Sequence, residues 1–339
     1  MKSLVLIILT SFIFELSFSQ NSDSAQLYFK KGVEANAGRL YGVAASHFDK
    51  AIYFNPNFTD AYIENGKTDL SMRMIGKAYQ NFSKAYELDP KNNEVISQLA
   101  TLSFNNHQFQ KAIDFAQKCL NCDNTSRILG MSFFQLEDYG KAEKYLLDAL
   151  KNNGQDADAA YTLAQTYLEL ENEKGAITQF EKAVQLEPRN QWMYELGLVF
   201  YDQNNYQNAL KYFQQAADHG YNKTNDFYEN YGFAQIYAGD KENGLKTLQI
   251  ILDRKPNNKE LMKNIAYAFY DTKNYNEALD YFTKILNLDA KDATTLYMAG
   301  LTFQKLGQKE KGQKICDKAI EADPSLKMYR QKNELPMGL

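Results

Sequence analysis

Residues Ala160–Pro188, AYTLAQTYLELENEKGAITQFEKAVQLEP, have the composition of two short helices joined by a polar turn at Glu171–Lys174. Ala164 in the first helix and Ala176 in the second are small enough to let the two backbones approach closely, and Phe180 fills the space beside them. The terminal proline closes the second helix, because it lacks the N–H that the next hydrogen bond would need. Such a unit cannot bury its apolar stripe alone, so it needs neighbouring units.

The rest of the chain supplies those neighbours as a repeat. Five of the six prolines occupy the same place in successive units: Pro56, Pro90, Pro188, Pro256 and Pro324. The small residue of the first helix recurs at Gly32, Gly66, Ala100, Gly130, Ala164, Gly197, Gly232, Ala266 and Gly300. The small residue of the second helix follows twelve positions later in all nine units, and the step between units is 34, 34, 30, 34, 33, 35, 34 and 34 residues. This period predicts a helical repeat protein.

These residues resemble the tetratricopeptide repeat (TPR) family, whose 34-residue helix–turn–helix has small residues in both helices. The family's large second-helix position is held by Phe48, Phe82, Phe180, Phe213 and Phe282, whereas Ala116 and Cys316 depart from it. The resemblance covers residues 25–324 and implies an all-α fold: a right-handed α-solenoid of about nine repeats with a C-terminal capping helix. The expected repeats lie near 25–58, 59–92, 93–122, 123–156, 157–189, 190–224, 225–258, 259–292 and 293–324, with a leader at 20–24 and the capping helix and tail at 325–339.

The N-terminus has the composition of an export signal. Met1–Ser19 carries Lys2, an apolar run over Leu4–Phe14 and a small–x–small tripeptide ending at Ser19, which predicts a signal peptide cleaved before Gln20. The alternative is an uncleaved anchor, but the apolar run is shorter than a bilayer-spanning helix. We therefore expect an exported protein without a membrane span after cleavage, located in the periplasm, at the cell surface or outside the cell.

Charge, histidine content and motifs argue against nucleic-acid binding, metal binding and catalysis. The formal net charge is −4, with 38 basic and 42 acidic residues interspersed, so a basic face for nucleic acid is not expected. The three histidines, His47, His107 and His219, lie in different repeats without cysteine or histidine at metal-ligand spacing. Neither a catalytic motif nor a cofactor-binding motif is found, and we expect no enzyme, no cofactor and no metal.

Cys119 and Cys122 are the strongest candidates for chemistry. Cys119 falls near the C-terminal end of a second helix, where the helix dipole disfavours a thiolate. A structural disulfide between the two, two inert thiols and a redox-active pair all remain open, although the position disfavours the last. Cys316 occupies the large second-helix position and is expected in the core.

The resemblance also suggests where a partner would bind. In TPR proteins the first helix of each repeat lines the concave side, and the flank residues of these helices are unusually rich in tyrosine here. The predicted partner-binding residues are Arg127, Met131, Phe134, Tyr161, Tyr194, Tyr201, Phe233, Tyr237, Lys263, Tyr267, Tyr270 and Tyr297. The alternative is that packing between repeats buries this row. The Lys/Asn/Arg set with which some TPR proteins hold a C-terminal carboxylate is not found at the matching positions of the first two repeats.

The sequence thus predicts a non-catalytic protein–protein interaction scaffold of the cell envelope. Its partner would be another protein, bound as an extended or helical segment in the concave groove of repeats four to nine. Two alternatives are a structural spacer in an envelope assembly, bound by its convex face or ends, and a cell-wall or glycan-associated protein. The identity of the partner and the oligomeric state stay open.

Overall fold

The computed structural model describes residues 22–119, 122 and 124–332, and these residues form helices and no strand. The predicted signal peptide and residues 333–339 of the predicted tail lie outside them. The first repeat consists of α1 (residues 22–37) and α2 (Tyr41–Phe54). The next four repeats contain α3 (Thr59–Ser71), α4 (Ile75–Leu88), α5 (Asn93–Asn105), α6 (Phe109–Ala116), α7 (Thr125–Gln135), α8 (Tyr139–Asn152), α9 (Ala157–Glu169) and α10 (Glu173–Leu186).

The last four repeats continue the same alternation. They contain α11 (Asn190–Asp202), α12 (Tyr206–Asp218), α13 (Asn225–Tyr237), α14 (Lys241–Arg254), α15 (Lys259–Asp271), α16 (Tyr275–Leu288), α17 (Ala293–Lys305) and α18 (Lys309–Ala322). A 3₁₀ turn (Pro324–Leu326) and α19 (Lys327–Lys332) follow. The all-α prediction and the helix-pair repeat are confirmed.

Close contact between the two helices of a repeat depends on the small residues. In repeat six, a Cβ added to Gly197 would lie 2.5 Å from the ring of Phe213, so the glycine lets α12 approach α11 by the width of a methyl group. Phe213 is fully buried as a result. The same large position is buried in every repeat, including the two that carry Ala116 and Cys316. Each repeat therefore buries the same position at the contact between its two helices.

The turn between the two helices has one geometry in all nine repeats. One residue of each turn adopts a left-handed conformation: Arg39, Arg73, His107, Glu137, Glu171, Asn204, Gly239, Lys273 and Gly307. In each turn the next backbone N–H donates to a carbonyl five residues earlier, as Asp138 does to Phe133 at 2.9 Å. This is the Schellman arrangement, which satisfies carbonyl groups left free at the end of the first helix.

Side-chain caps fix many of the helix starts. The capping residues, whose side-chain oxygens accept a hydrogen bond from a backbone N–H three residues later, are Asn92, Asp138, Asp156, Asn205, Thr224, Asp240, Asn258 and Asp292. Each such cap stabilises its helix by about 1 kcal/mol.

Contacts between Cα atoms divide the chain into two compact units, one ending at Lys182 and the other beginning at Ala183. Within the first unit, Leu129 and Leu146 are at the centre of an apolar cluster. Within the second, a larger cluster surrounds Phe269 and Phe282.

The predicted capping segment covers the last helix pair. Leu326, at the end of the 3₁₀ turn, is buried against Tyr297, Cys316 and Ala319. Arg330 of α19 also forms an ion pair with Asp317 of α18 at 2.8 Å. The apolar face that a further repeat would cover is thereby partly buried, as the end of a solenoid requires.

Candidate partner-binding groove

Three neighbouring cavities lie along the first helices of repeats six to nine, within the second unit. The first, which we call the aromatic cavity, has a volume of about 580 Å³ and the middle cavity about 500 Å³. The third, the basic cavity, measures about 1080 Å³. The aromatic and middle cavities share Asn264 and Tyr267, and the aromatic and basic cavities share Asp271. The aromatic cavity thus adjoins each of the other two, and we call the three together the groove.

The walls of the aromatic cavity come from α11, α13 and α15. Glu229, Phe233 and Tyr237 are spaced four residues apart on α13, which places them on one face of that helix. Tyr201 of α11 and Tyr267 of α15 contribute further rings to the wall. The residues that line this cavity are Tyr194, Tyr201, Asp226, Glu229, Asn230, Phe233, Tyr237, Asn264, Tyr267 and Asp271.

The rings are held in place by contacts with other rings. Tyr237 stacks on Tyr206 with ring centroids 4.9 Å apart and meets Tyr201 edge to face at 6.5 Å. Tyr194 stacks on Tyr221 at 4.4 Å, and its hydroxyl accepts a hydrogen bond from Asn230 Nδ2 at 2.8 Å. Each ring is therefore oriented before any partner arrives, which lowers the entropic cost of binding.

Burial changes the acid–base properties of these phenols. Desolvation raises the pKa of both Tyr237 and Tyr267 to about 12, and it raises the pKa of Tyr201 further. The tyrosines of the aromatic cavity are accordingly neutral hydrogen-bond donors and acceptors throughout the physiological pH range.

Carboxylates supply all the formal charge of the aromatic cavity. Burial raises the pKa of Glu229, and the negative charges of Asp226 and Glu260 raise it further, against a lowering effect of the hydrogen bond from Asn264 Nδ2 at 3.4 Å. Desolvation also raises the pKa of Asp271, although this residue is exposed. Both groups thus prefer a positively charged neighbour that the cavity itself does not provide.

The basic cavity has the opposite charge. Its cationic lining residues are Lys273, Lys305, Lys309, Lys314 and Arg330, against the carboxylates of Asp271 and Glu310. Tyr270, which desolvation and neighbouring charges keep neutral by raising its pKa to about 12, forms part of the wall. In the middle cavity, Lys259 and Lys263 are already paired with Asp289 and Asp292, at 3.0 and 4.0 Å.

Eight of the twelve predicted partner-binding residues line the groove. These are Tyr194, Tyr201, Phe233, Tyr237, Lys263, Tyr267, Tyr270 and Tyr297. Four of the eight, Tyr194, Phe233, Tyr270 and Tyr297, are more than nine-tenths buried. For these four, packing against other residues of the protein covers most of the side chain. Their role in binding stays a prediction.

The other four predicted residues lie in the first unit and make internal contacts. Arg127 forms ion pairs with Asp156 and Asp158 at 2.8 and 3.1 Å, which tie α7 to the start of α9. The remaining three are Met131, which is buried, Phe134, whose ring contacts Tyr139, and Tyr161, whose ring contacts Phe180.

Several polar residues of the aromatic cavity were not among the predicted set. They are Asp226, Glu229, Asn230, Asn264 and Asp271. A sequence signal for some of them existed, since Glu229 lies one helical turn before Phe233 and Asn264 lies three residues before Tyr267.

The two predicted disulfide cysteines are close together. Their Cα atoms are 5.4 Å apart, within the usual range for a disulfide, and their sulfur atoms are paired. Cys119 lies just after α6, which at eight residues is the shortest of the second helices. Oxidation of the pair in the expressed protein stays a prediction, which the mass of unreduced protein tests. Cys316 is buried as expected, and burial raises the pKa of its thiol to about 11.

Neither a metal-binding cluster nor a membrane-spanning helix occurs in the described part of the chain. Residues 22–119, 122 and 124–332 contain no group of three or more His, Cys, Asp or Glu side chains arranged to hold a metal ion. Within the same ranges, every helix is too short or too polar to cross a bilayer.

Comparison with known proteins decides the family. Models of the tetratricopeptide repeat match residues 129–190, 161–223, 234–293 and 293–326, which together cover more than half of the chain. This chain is a TPR protein. TPR domains act as protein–protein interaction modules without catalytic activity of their own, and they bind protein or peptide partners.

This TPR protein has curated relatives of low identity. It is 24% identical over 283 residues to a DnaJ homolog subfamily C member 7 homolog of Dictyostelium discoideum, covering 81% of this chain and 44% of the relative. It is 22% identical over 298 residues to the DnaJ protein P58IPK homolog B of Oryza sativa subsp. japonica, covering 83% of this chain and 59% of the relative. The TPR protein thus spans about half the length of these relatives.

Two solved structures are similar to parts of this TPR protein. The crystal structure of YrrB, described as a TPR protein with an unusual peptide-binding site, has a TM-score of 0.46 and 23% identity, covering 52% of this chain and 93% of that one. The crystal structure of PilW, described as a type IV pilus biogenesis factor, has a TM-score of 0.47 and 18% identity, covering 57% of this chain and 92% of that one.

Proposed function

We propose that this TPR protein is a non-catalytic scaffold of the cell envelope that binds a segment of a partner protein in the groove along α11, α13, α15 and α17. One observation carries the proposal: three cavities adjoin one another along neighbouring first helices, the aromatic cavity sharing wall residues with each of the other two. An extended chain or a helix could occupy all three at once, as in other peptide-binding grooves.

The chemistry of the lining supports recognition. Tyrosine combines an apolar ring with a hydrogen-bonding hydroxyl and has few rotatable bonds, which makes it a frequent hot-spot residue at interfaces. Tyr201, Tyr237 and Tyr267 are each partly buried, so their conformational freedom is already restricted in the free protein. Amide and charged groups between the rings would fix the orientation of a bound segment.

The envelope location rests on Met1–Ser19, which has the charge and hydropathy of a secretory signal. When the full chain is expressed in a bacterial host, the protein should appear in the exported fraction with Gln20 as its first residue. An intact N-terminus in the cytosolic fraction would contradict the proposed location and leave the groove unaffected.

A steric block tests the groove with little risk to the fold. Asn264 is exposed and lines both the aromatic and the middle cavity, so Asn264→Trp should fill the groove without removing a core contact. Asn287→Trp is the matched control, because Asn287 is exposed on α16 of the same repeat and lines none of the three cavities. Both variants should retain the helical circular dichroism of the wild type.

The measurement is capture of partners from an envelope extract by the three proteins. We expect a partner that wild type and Asn287→Trp retain and that Asn264→Trp loses by at least about tenfold, since a buried indole would displace the segment. Equal retention by all three would place binding on another surface and favour a structural spacer. Retention of purified cell-wall material instead of protein would favour the glycan-associated alternative.

A further inference from the structure

The aromatic cavity combines ring walls with unpaired negative charge. Three of its lining residues are carboxylates, Asp226, Glu229 and Asp271, and none of its lining residues is Lys or Arg. Among the described residues, none of these three carboxylates takes part in an ion pair. Glu229 has one weak amide partner, Asn264 Nδ2 at 3.4 Å.

Another cavity of the same protein shows the difference that a cation makes. In the first unit, a cavity of about 350 Å³ is lined by Phe29 and Ile63 together with the carboxylates of Asp60, Glu64 and Glu94. Lys67 lies 2.8 Å from Glu64 and 2.5 Å from Glu94, so one ammonium group pairs with two of the three carboxylates. The aromatic cavity has no equivalent of Lys67.

Two lysines of the adjoining middle cavity are already paired with other carboxylates. Lys263, one helical turn from Tyr267, is directed to Asp292 at 4.0 Å, and Lys259 is directed to Asp289 at 3.0 Å. Among the described residues, the partly desolvated Glu229 therefore has no cationic partner, and Asp271, which also lines the basic cavity, forms no ion pair with the cations there. A free protein retains such a site at some cost in stability.

We propose that the aromatic cavity receives a lysine or arginine side chain of the bound partner segment. This inference rests on the proposed function and names the chemistry of the ligand. The rings of Tyr201, Tyr237 and Tyr267 line the cavity and would contact the aliphatic stem and the cationic group, since aromatic rings attract cations. Glu229 and Asp271 would accept charge-assisted hydrogen bonds from the same group.

Other ligand groups fit the cavity less well. An acidic side chain would add a negative charge to three carboxylates. An apolar side chain would desolvate Glu229 further without supplying a hydrogen-bond donor, which costs free energy. A basic side chain is the one class that satisfies the rings and the carboxylates together.

The test uses three labelled peptides of one Ser/Gly host sequence, each with a central Leu-X-Leu in which X is Arg, Lys or Gln. Fluorescence anisotropy at low and at physiological salt measures their binding to the full-length protein. We expect the Arg and Lys peptides to bind about tenfold more tightly than the Gln peptide, with the difference reduced by salt.

Charge-neutralising variants identify the site of that preference. Glu229→Gln and Asp271→Asn keep the size of the side chain and should each weaken the Arg and Lys peptides by about three- to tenfold, with little change for the Gln peptide. Glu242→Gln is the matched control, because Glu242 is exposed on α14 and lines none of the three cavities. It should leave all three affinities unchanged.

Three results would overturn the inference. They are equal affinity for the Gln peptide, equal weakening by the control variant, and no binding of any peptide at millimolar concentration. If the peptide test fails in one of these ways but Asn264→Trp still loses the captured partner, the groove is a binding site and only its proposed preference for a cation is wrong. If the peptides bind as expected but the capture survives Asn264→Trp, the proposed function fails and the cavity chemistry stands.

Discussion

Glu229 shows how a single residue links stability to recognition. Its pKa is raised by burial and by the charges of Asp226 and Glu260, and Tyr201 and Asp271 also line the cavity around it. An acid whose folded pKa exceeds its unfolded pKa binds more protons in the folded state, so stability falls as pH rises above the unfolded pKa of about 4.3.

Glu229→Gln should therefore stabilise the protein at neutral pH. We expect a gain of about 0.5 kcal/mol at pH 7, reduced by solvent screening, which disappears below about pH 4 where the wild-type carboxyl is protonated. Thermal unfolding at both pH values measures it. Glu242→Gln should have the opposite sign, because Glu242 lies in the first turn of α14, where a negative charge favours the helix. A loss of stability in Glu229→Gln at pH 7 would contradict the assigned pKa shift.

At the level of the element, the turn within each repeat stores a small amount of strain. Seven of the nine left-handed turn residues are not glycine, and for such residues this conformation costs about 1 kcal/mol. Glu137, with φ of 60°, is exposed and adopts this conformation between α7 and α8. Glu137→Gly should relieve the strain and raise the free energy of unfolding by up to about 1 kcal/mol.

The converse substitution provides the control for the turn. Gly307 occupies the same turn position in the last repeat with φ of 84°, and Gly307→Ala should lower the free energy of unfolding by about 1 kcal/mol. Urea unfolding of both variants measures the two effects. If both changes were neutral, the turn conformation would not be limiting for stability.

The elements themselves were largely predictable from the sequence, because a repeat presents the same packing problem nine times. The small residue of the first helix marked the contact that Gly197 makes with Phe213. The left-handed turn conformation was harder to predict from the sequence, because Arg39 and Glu137 are not glycine. They adopt it together with the Schellman hydrogen bonds. The early end of α6 at Ala116 was also not predicted, although the 30-residue step marked its repeat as irregular.

The groove was predictable only in outline. Helix periodicity placed Tyr201 and Tyr267 on the first-helix flanks that line it, but periodicity does not say how much of each ring a neighbouring repeat covers. The carboxylates of Glu229 and Asp271 gain their significance from desolvation and from the distant pairing of Lys263. Both depend on tertiary packing, which the sequence pattern does not reveal.

On the scale of the whole molecule, a destabilising substitution should affect mainly its own repeat and the adjacent ones, because the repeats of a solenoid contact mainly their neighbours. Gly197→Ala tests this property. The added methyl would meet the Phe213 ring at 2.5 Å, yet repeat five holds Ala164 at the equivalent position beside Phe180. A small separation of the helices can therefore accommodate alanine, and we expect destabilisation of about 1 to 2 kcal/mol rather than unfolding.

Hydrogen exchange read by mass spectrometry shows where that cost is located. In Gly197→Ala, amide exchange should accelerate in α11, α12 and α13 and stay unchanged in α3 to α5, since opening propagates only through adjacent repeats. Gly76→Ala is the matched control: a Cβ at this helical glycine would meet nothing within 4 Å, so exchange should slow near α4 because alanine favours the helix by about 1 kcal/mol. Uniform acceleration along the chain in Gly197→Ala would instead show that the array unfolds as one cooperative unit. In that case a partner bound in the groove would stabilise distant repeats as strongly as those it contacts.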